Sequence, residues 1–495
     1  MDHAKVGTAK RAKRAAALSI TAITALSLTL AGCGSSNTNN TASSGDDAAK
    51  TNNAASSGND AAKTDNAASG GDDSTKTDNA AATTDSGSSS GEKVKIDFWF
   101  PWGGDFQKDF KKTVVDPFEA SHPNIKVNMT FVETTGQTQA SDKLLTAIAG
   151  GNPPDVALFD RFLIGSWAAK GSLTNIKDYV DTASDLHADD YYPGLWAEVV
   201  YKDGVYGLPW GTDTRAMYYN KTLMKQAGLD PESPPKTLQE LDQMAEKVFK
   251  KGKNGKYDTI GFIPWMNQGF FYTQAWNWGG KWEDGEHNLT PNDPQNVKAL
   301  QWMADYAKKY DIANLTSFSD AMGQTGMNPF WSGKVGFMFD GNWTLNDLAK
   351  YKPNFEWGVA PMPAAEGFNP VTWAGGWSYV IPKGSKHEKE AWEFIKYVAG
   401  HDGTLGYAKR ANAGNDITAM PSVNTELKLA DNPNLKVFLD LMPTAFTRPV
   451  TPVGSFLWNE TMRVQDLAIH GKGDPKALLD EVKKNVDAEL AKQGG

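Results

Sequence analysis

The chain has 495 residues, with 50 basic and 59 acidic side chains, a formal charge of −9, 17 tryptophans and one cysteine. Its length allows two or three domains with a large core. The acidic balance argues against nucleic acid, which needs a basic surface, and a lone cysteine rules out an intrachain disulfide.

The first 92 residues differ from the rest. Lys5, Lys10, Arg11, Lys13 and Arg14 precede an uncharged apolar run from Ala15 to Leu30, and Ala31 and Gly32 follow. This is the order of a secretory signal, and the run is short for the ~30 Å of hydrocarbon that a retained anchor must cross. Leu30-Ala31-Gly32-Cys33 resembles the lipobox of bacterial lipoproteins. That resemblance implies cleavage before Cys33, lipidation of its thiol and attachment to a membrane through the acyl chains. Loss of residues 1–32 removes five basic side chains and one acidic one, leaving −13.

Residues 34–92 are Ser, Thr, Asn, Asp, Gly and Ala with almost no apolar bulk. They repeat with a period of 13, as in Gly45-Asp46-Asp47-Ala48-Ala49-Lys50-Thr51 and Gly58-Asn59-Asp60-Ala61-Ala62-Lys63-Thr64. No unit has a hydrophobic face to stack, so the segment reads as a disordered tether. Its r.m.s. reach is about 40–45 Å.

Val94–Phe100 alternates and then turns apolar, as an entering strand does. Pro101–Asp105 reads as a loop, Val114–Ser121 as a helix end, Lys126–Val132 as a second strand and Ser141–Ala149 as a helix. Asp155–Phe159 is a short buried strand with Asp160 and Arg161 at its carboxyl end. This β-α-β-α-β order predicts a parallel sheet, whose ligands bind beyond the carboxyl ends of the strands. Trp99, Trp102, Asp105, Asp160 and Arg161 fall there.

A hairpin signal at Lys202–Val205 leads into Tyr206–Asn220, which gathers Trp210, Asp213 and Arg215 and reads as a crossing between lobes. Thr237 and Glu240 form a helix-opening capping box, and Lys253–Lys256 reads as a hairpin turn. An amphipathic helix is expected over Asn296–Tyr310 and a buried strand at Val335–Phe339, followed by Asp340-Gly341-Asn342-Trp343. Trp357–Ala360 is taken as a second crossing. The double glycine Gly375-Gly376 inside the strand Thr372–Ile381 marks close approach of a ligand or backbone. His387–Val398 reads as a helix, and residues 404–495 as mainly helical.

Several pieces then stand in order over about residues 93–490: Gly150-Gly151-Asn152-Pro153-Pro154-Asp155-Val156, Asp160-Arg161-Phe162, Tyr218-Tyr219-Asn220-Lys221, Asp340-Gly341-Asn342-Trp343, Ile381-Pro382-Lys383-Gly384-Ser385 and Ser455-Phe456-Leu457-Trp458. With these, the chain resembles the extracellular solute-binding proteins of ABC sugar importers, in pattern near the maltose-binding proteins. The resemblance implies a two-lobed α/β periplasmic-binding-protein-like fold, a hinge of two or three crossings and sugar in the interlobe cleft. It implies a binding protein on the outer face of the membrane that serves separate permease subunits; a monomer is expected, with no cofactor, and no residue is nominated as a metal ligand. The expected division is a signal at 1–32, the lipidated tether at 33–92, lobe 1 at 93–211, lobe 2 at 212–358, a return to lobe 1 at 359–403 and a helical segment, mainly of lobe 2, at 404–495.

A sugar offers apolar faces to aromatic plates, and hydroxyls to Asp, Asn, Gln and Arg. The candidate ligand residues are Trp102, Asp160, Arg161, Trp210, Asp213, Trp276, Asp340, Trp343, Gly376, Trp377 and Trp458. By the resemblance, Asp160 and Arg161 match a sugar-contacting pair and Trp458 a stacking aromatic. Each also has a plain structural reading: core packing for the tryptophans, an ion pair for Asp160 and Arg161, turn formation for Asp213, strand-end capping for Asp340. Arg215 can serve the hinge instead of the ligand. Trp302 and Trp392 are expected in the core.

The competing readings are a secreted glycoside hydrolase, which needs two carboxylates about 5–10 Å apart, and a wall-binding adhesin. Glu283-Asp284-Gly285-Glu286 reads as a solvated turn. The Gly-x-Ser-x-Gly match at Gly87–Gly91 lies in the tether, with no strand before it and no helix after it.

Overall fold

The computed structural model describes residues 93–493 except 133–135, 285–287, 324–327 and 411–414. The signal, Cys33 and the tether lie outside the described residues, as does part of the acidic turn at 283–286.

Two sheets organise the described chain. Val94–Phe100 buries Ile96, Phe98 and Phe100 and exposes Lys95 and Asp97. It pairs in parallel with Ile125–Phe131 on one side and Val156–Asp160 on the other. The parallel expectation holds for these three strands only. Gly375–Val380 joins Val156–Asp160 antiparallel, and Leu208–Asp213 and Ile417–Thr418 extend the sheet antiparallel beyond it. The sheet is therefore mixed: its far half combines Leu208–Asp213, which leads into the first crossing, with Gly375–Val380 and Ile417–Thr418, which return after it.

Asp155 anchors one such return. Its carboxylate accepts from Asp97 N at 2.9 Å, Ser385 Oγ at 2.8 Å, and Lys386 N and His387 N at 3.2 Å. The Pro382–Ser385 turn is thereby pinned to the first strand.

The second sheet is antiparallel, with Arg215–Asn220 between Phe337–Gly341 and Trp357–Ala360. Only Thr214 separates Leu208–Asp213 of the first sheet from Arg215–Asn220 of the second. It is fully buried, and its hydroxyl donates to Phe438 O at 3.1 Å. Trp357–Ala360 is thus an edge strand of the second sheet, and the second crossing follows it. There Thr372 Oγ1 accepts from Arg215 N and donates to Arg215 O, both at 2.8 Å. A third passage joins when Phe446 N donates to Thr372 O at 2.9 Å and Ala374 N to Phe446 O at 2.7 Å. Each strand's backbone groups find partners in another crossing, as buried amides must.

Local signals set the helices. Thr237 and Glu240 close the capping box of Leu238–Val248, with Glu240 N donating to Thr237 Oγ1 at 3.1 Å and Thr237 N to Glu240 Oε2 at 3.3 Å. Asn220 caps Lys221–Gln226 by accepting from Leu223 N at 2.9 Å. The 101–105 loop is shorter than expected, because Gly104, at φ +66°, already opens a helix that runs to Phe110. The C-terminal residues divide between the sheets. His401–Arg410 packs with the first sheet's helices. Pro433–Leu441 packs on the second sheet, and Gly454–Ile469 and Pro475–Lys492 pack with Pro294–Lys309. Among the described residues no helix is long and apolar enough to cross a membrane.

Candidate ligand-binding cleft

A cavity of about 930 Å³ opens beyond the carboxyl ends of the parallel strands and against the crossing. Of the sequence candidates, Trp102, Asp160, Trp210, Asp213, Trp343, Gly376 and Trp377 line it.

Its floor is backbone. Gly376 has φ +128°, and a Cβ there would come within 2.3 Å of the Gly211 carbonyl oxygen. A Cβ on Gly211 would meet nothing within 4 Å, since it would point into the open cavity. The pairing register shifts between Trp377 and Ser378 at this point, and such an irregularity re-aims a side chain. Trp377 packs edge-on against Trp102, with centroids 4.7 Å apart at 68°, so two half-buried indoles wall one side. Trp343 stands on the opposite side, at the end of Phe337–Gly341.

Carboxylates flank this floor. Asp213 accepts from Gly375 N at 3.1 Å and from Arg215 Nη1. Asp160 accepts from Phe162 N at 3.1 Å and from Arg448 Nη2 at 3.2 Å. In both, Oδ1 makes these bonds, and Oδ2 has no partner among the described residues. The side chains keep 18% and 15% exposure, enough to present an acceptor oxygen to a ligand hydroxyl.

Arg215 belongs chiefly to the hinge. Its guanidinium lies 3.4 Å from the Trp373 ring centroid and 5.4 Å from that of Trp343, and its Nε donates to Gln268 Oε1 at 3.2 Å. It thereby ties both sheets and the return crossing together. Burial pulls its pKa below the ordinary arginine value, against the opposing pull of Asp213. Arg448 is similarly buried, with its guanidinium 4.0 Å from the Phe162 ring centroid and 5.0 Å from that of Trp373.

Four candidates lie outside the cleft lining, each for a packing reason. Arg161 is 1% exposed. It donates to Glu198 Oε2 at 2.6 Å, to Gly211 O at 3.2 Å and to Gly375 O, so it braces the floor from beneath. Burial raises the Glu198 pKa, and Arg161 offsets part of that rise. Asp340 is fully engaged by Asn267 Nδ2, Asn328 Nδ2, Thr344 Oγ1 and Gly341 N. Trp458 stacks on Tyr272 at 5.3 Å and 21°, and Trp276 on Phe446 at 5.4 Å and 1°. Trp210 reaches the lining but packs mainly against Phe110, Tyr379 and Tyr407.

Sequence reasoning missed Gly211, Phe106, Phe131, Asp416 and Arg448. Gly211 stands beside Trp210 and could have been read like Gly376. Arg448 carries no local signal, since only the third passage brings it to Asp160, 288 residues away in sequence.

A two-sheet body with three crossings, and a cleft of aromatic walls and carboxylate acceptors beside them, defines a two-lobed binding protein. Residues 101–404 match the family of bacterial extracellular solute-binding proteins, and the chain belongs to that family. A putative binding protein of Brucella abortus is 27% identical over 400 residues, 79% of this chain and 90% of that one. A maltooligosaccharide ABC transporter solute-binding lipoprotein of Streptococcus pneumoniae is 25% identical over 418 residues, 80% of this chain and 88% of that one. The mannobiose-bound structure of CpMnBP1 superposes with a TM-score of 0.69 at 30% identity, covering 80% of this chain and all of that chain.

Proposed function

We propose that this protein is the substrate-binding component of an ABC importer, which captures a carbohydrate, an oligosaccharide, between its lobes and delivers it to membrane permease subunits. The observation that carries this reading is the pairing of Asp160 and Asp213 with the Trp102–Trp377 wall over a side-chain-free floor. Acceptors for hydroxyls stand beside plates for apolar ring faces, as sugar recognition requires. The named ligands of similar proteins, mannobiose, mannotriose and maltooligosaccharide, support the same class. The protein acts without a cofactor and as a monomer, held at the outer membrane face through Cys33.

Titration with manno- and malto-oligosaccharides, followed by tryptophan fluorescence, tests the binding. A saturable change supports it, and silence across both series and a wider glycan panel counts against it. Product formation from any bound sugar would favour the hydrolase reading instead. Metabolic labelling with palmitate should mark the wild type and leave Cys33→Ser unlabelled. Equal labelling of both, or labelling of neither, would refute the anchor.

A further inference from the structure

Two phenylalanines stand at the mouth of the cleft with their rings uncovered. Phe106 and Phe131 are each 42% exposed, and both line the cavity that Asp160 and Trp377 line. Apolar area left in water costs about 25 cal/mol per Å², so two such rings at a binding cavity call for an occupant.

Neither ring is loose. Phe106 stacks on Phe100 at 5.9 Å and 12° and meets the edge of Trp102 at 5.3 Å and 69°. Phe131 ends its strand and lies over the 101–103 loop, where a Cβ on Gly103 would come within 3.1 Å of the ring. The absence of a side chain at Gly103 therefore lets the loop pass beneath Phe131. Through Trp102 the shelf continues the Trp102–Trp377 wall without a break. The helix that carries Phe106 also carries Asp105 and Lys108, whose side chains are 94% and 78% exposed. These two pair with each other at 3.2 Å, and neither lines the cavity.

We propose that Phe106 and Phe131 form an accessory subsite, which stacks the outer rings of an oligosaccharide whose inner ring lies over Gly211. The proposal rests on the carbohydrate reading above and deepens it. The enclosed floor takes one end of the ligand, and the shelf gives a longer ligand its additional affinity.

Calorimetric titration of the wild type, Phe106→Ala and Phe131→Ala tests it, with mannose, mannobiose and mannotriose, and with glucose, maltose and maltotriose. In the series that the wild type binds, affinity should rise with length. Each variant should weaken the trisaccharide roughly tenfold and leave the shortest bound sugar nearly unaffected, with the circular dichroism spectrum of a folded protein. An equal loss at every length, or no loss at any, overturns the shelf and leaves the carbohydrate reading intact. A variant that alters self-association instead of length dependence overturns it in favour of an interface between copies. A wild type that binds neither series and no glycan of the wider panel overturns both readings together.

Discussion

At the scale of single residues, Gly211 is the position where the smallest change should have the largest functional effect. Its missing side chain leaves open space at the cavity floor, and its carbonyl is held from below by Arg161. Gly211→Leu should therefore fill the ligand's place, since a Cβ there meets nothing within 4 Å and the side chain extends into the cavity. Affinity should fall by roughly a hundredfold or more, about 2.7 kcal/mol, with the Tm unchanged. Retained affinity would show that the ligand sits elsewhere. Asp242 offers a residue-scale test of stability. Burial raises its pKa from 3.8 to about 6, although Trp302 Nε1 donates to Oδ2 at 2.9 Å, and Oδ1 is buried without a partner among the described residues. The folded state thus prefers the protonated acid. The stability this contributes is present below the unfolded pKa, near 4, and is lost as pH rises through about 6. The loss is on the order of 3 kcal/mol by pH 7.5. Asp242→Asn keeps an acceptor for Trp302 and cannot ionise. Urea midpoints measured from pH 4 to 7.5 should fall less steeply in the variant, and identical slopes would contradict the assignment.

At the scale of elements, ends and crossings matter more than the middles. The helix Leu238–Val248 begins where Thr237 and Glu240 exchange hydrogen bonds, a local device legible from four consecutive residues. Thr237→Ala should cost about 1 kcal/mol in chemical denaturation without changing ligand affinity, since the helix is remote from the cleft lining. A loss of affinity would mean that this helix couples to the cleft. The crossings are a different case. Tyr206–Asn220 is visible in sequence as a place where the chain changes role. Its partners at Thr372 and Phe446 are not visible there, because hydrogen bonds between distant crossings leave no periodic trace. The edge strand Trp357–Ala360 illustrates the same limit. Four residues of strand pattern do not say which sheet they join, and register with Arg215–Asn220 decides it.

For the whole molecule, the two sheets meet through three short passages stitched by Arg215, Thr372 and Phe446, and the cavity lies against them. A ligand that contacts both Asp160 and Trp343 gains more when the lobes approach, and only such differential affinity can shift the equilibrium. Solution scattering should therefore report a smaller radius of gyration with a bound oligosaccharide. Sugar at a hundred times its dissociation constant should add about 2.7 kcal/mol of stability, read as a rise in Tm. A rise in Tm with no change in dimensions would mean a cleft that is already closed.

The family resemblance implied the class of cleft, and the sequence alone determined the strands of the first β-α-β-α-β unit, the capping box at Thr237 and Glu240 and the crossing at Tyr206–Asn220. The last three rest on periodicity or on groups within a few residues of one another. Tertiary structure decided which candidates line the cavity. Asp160 and Arg161 are neighbours in the chain, yet one presents an oxygen to the cleft and the other turns beneath the floor to Glu198. Trp377 walls the cavity while Trp458 stacks on Tyr272 away from it. The reason is the same in both pairs. A residue's type fixes what it can bind, but its exposure is set by the elements packed around it, and those arrive from hundreds of residues away.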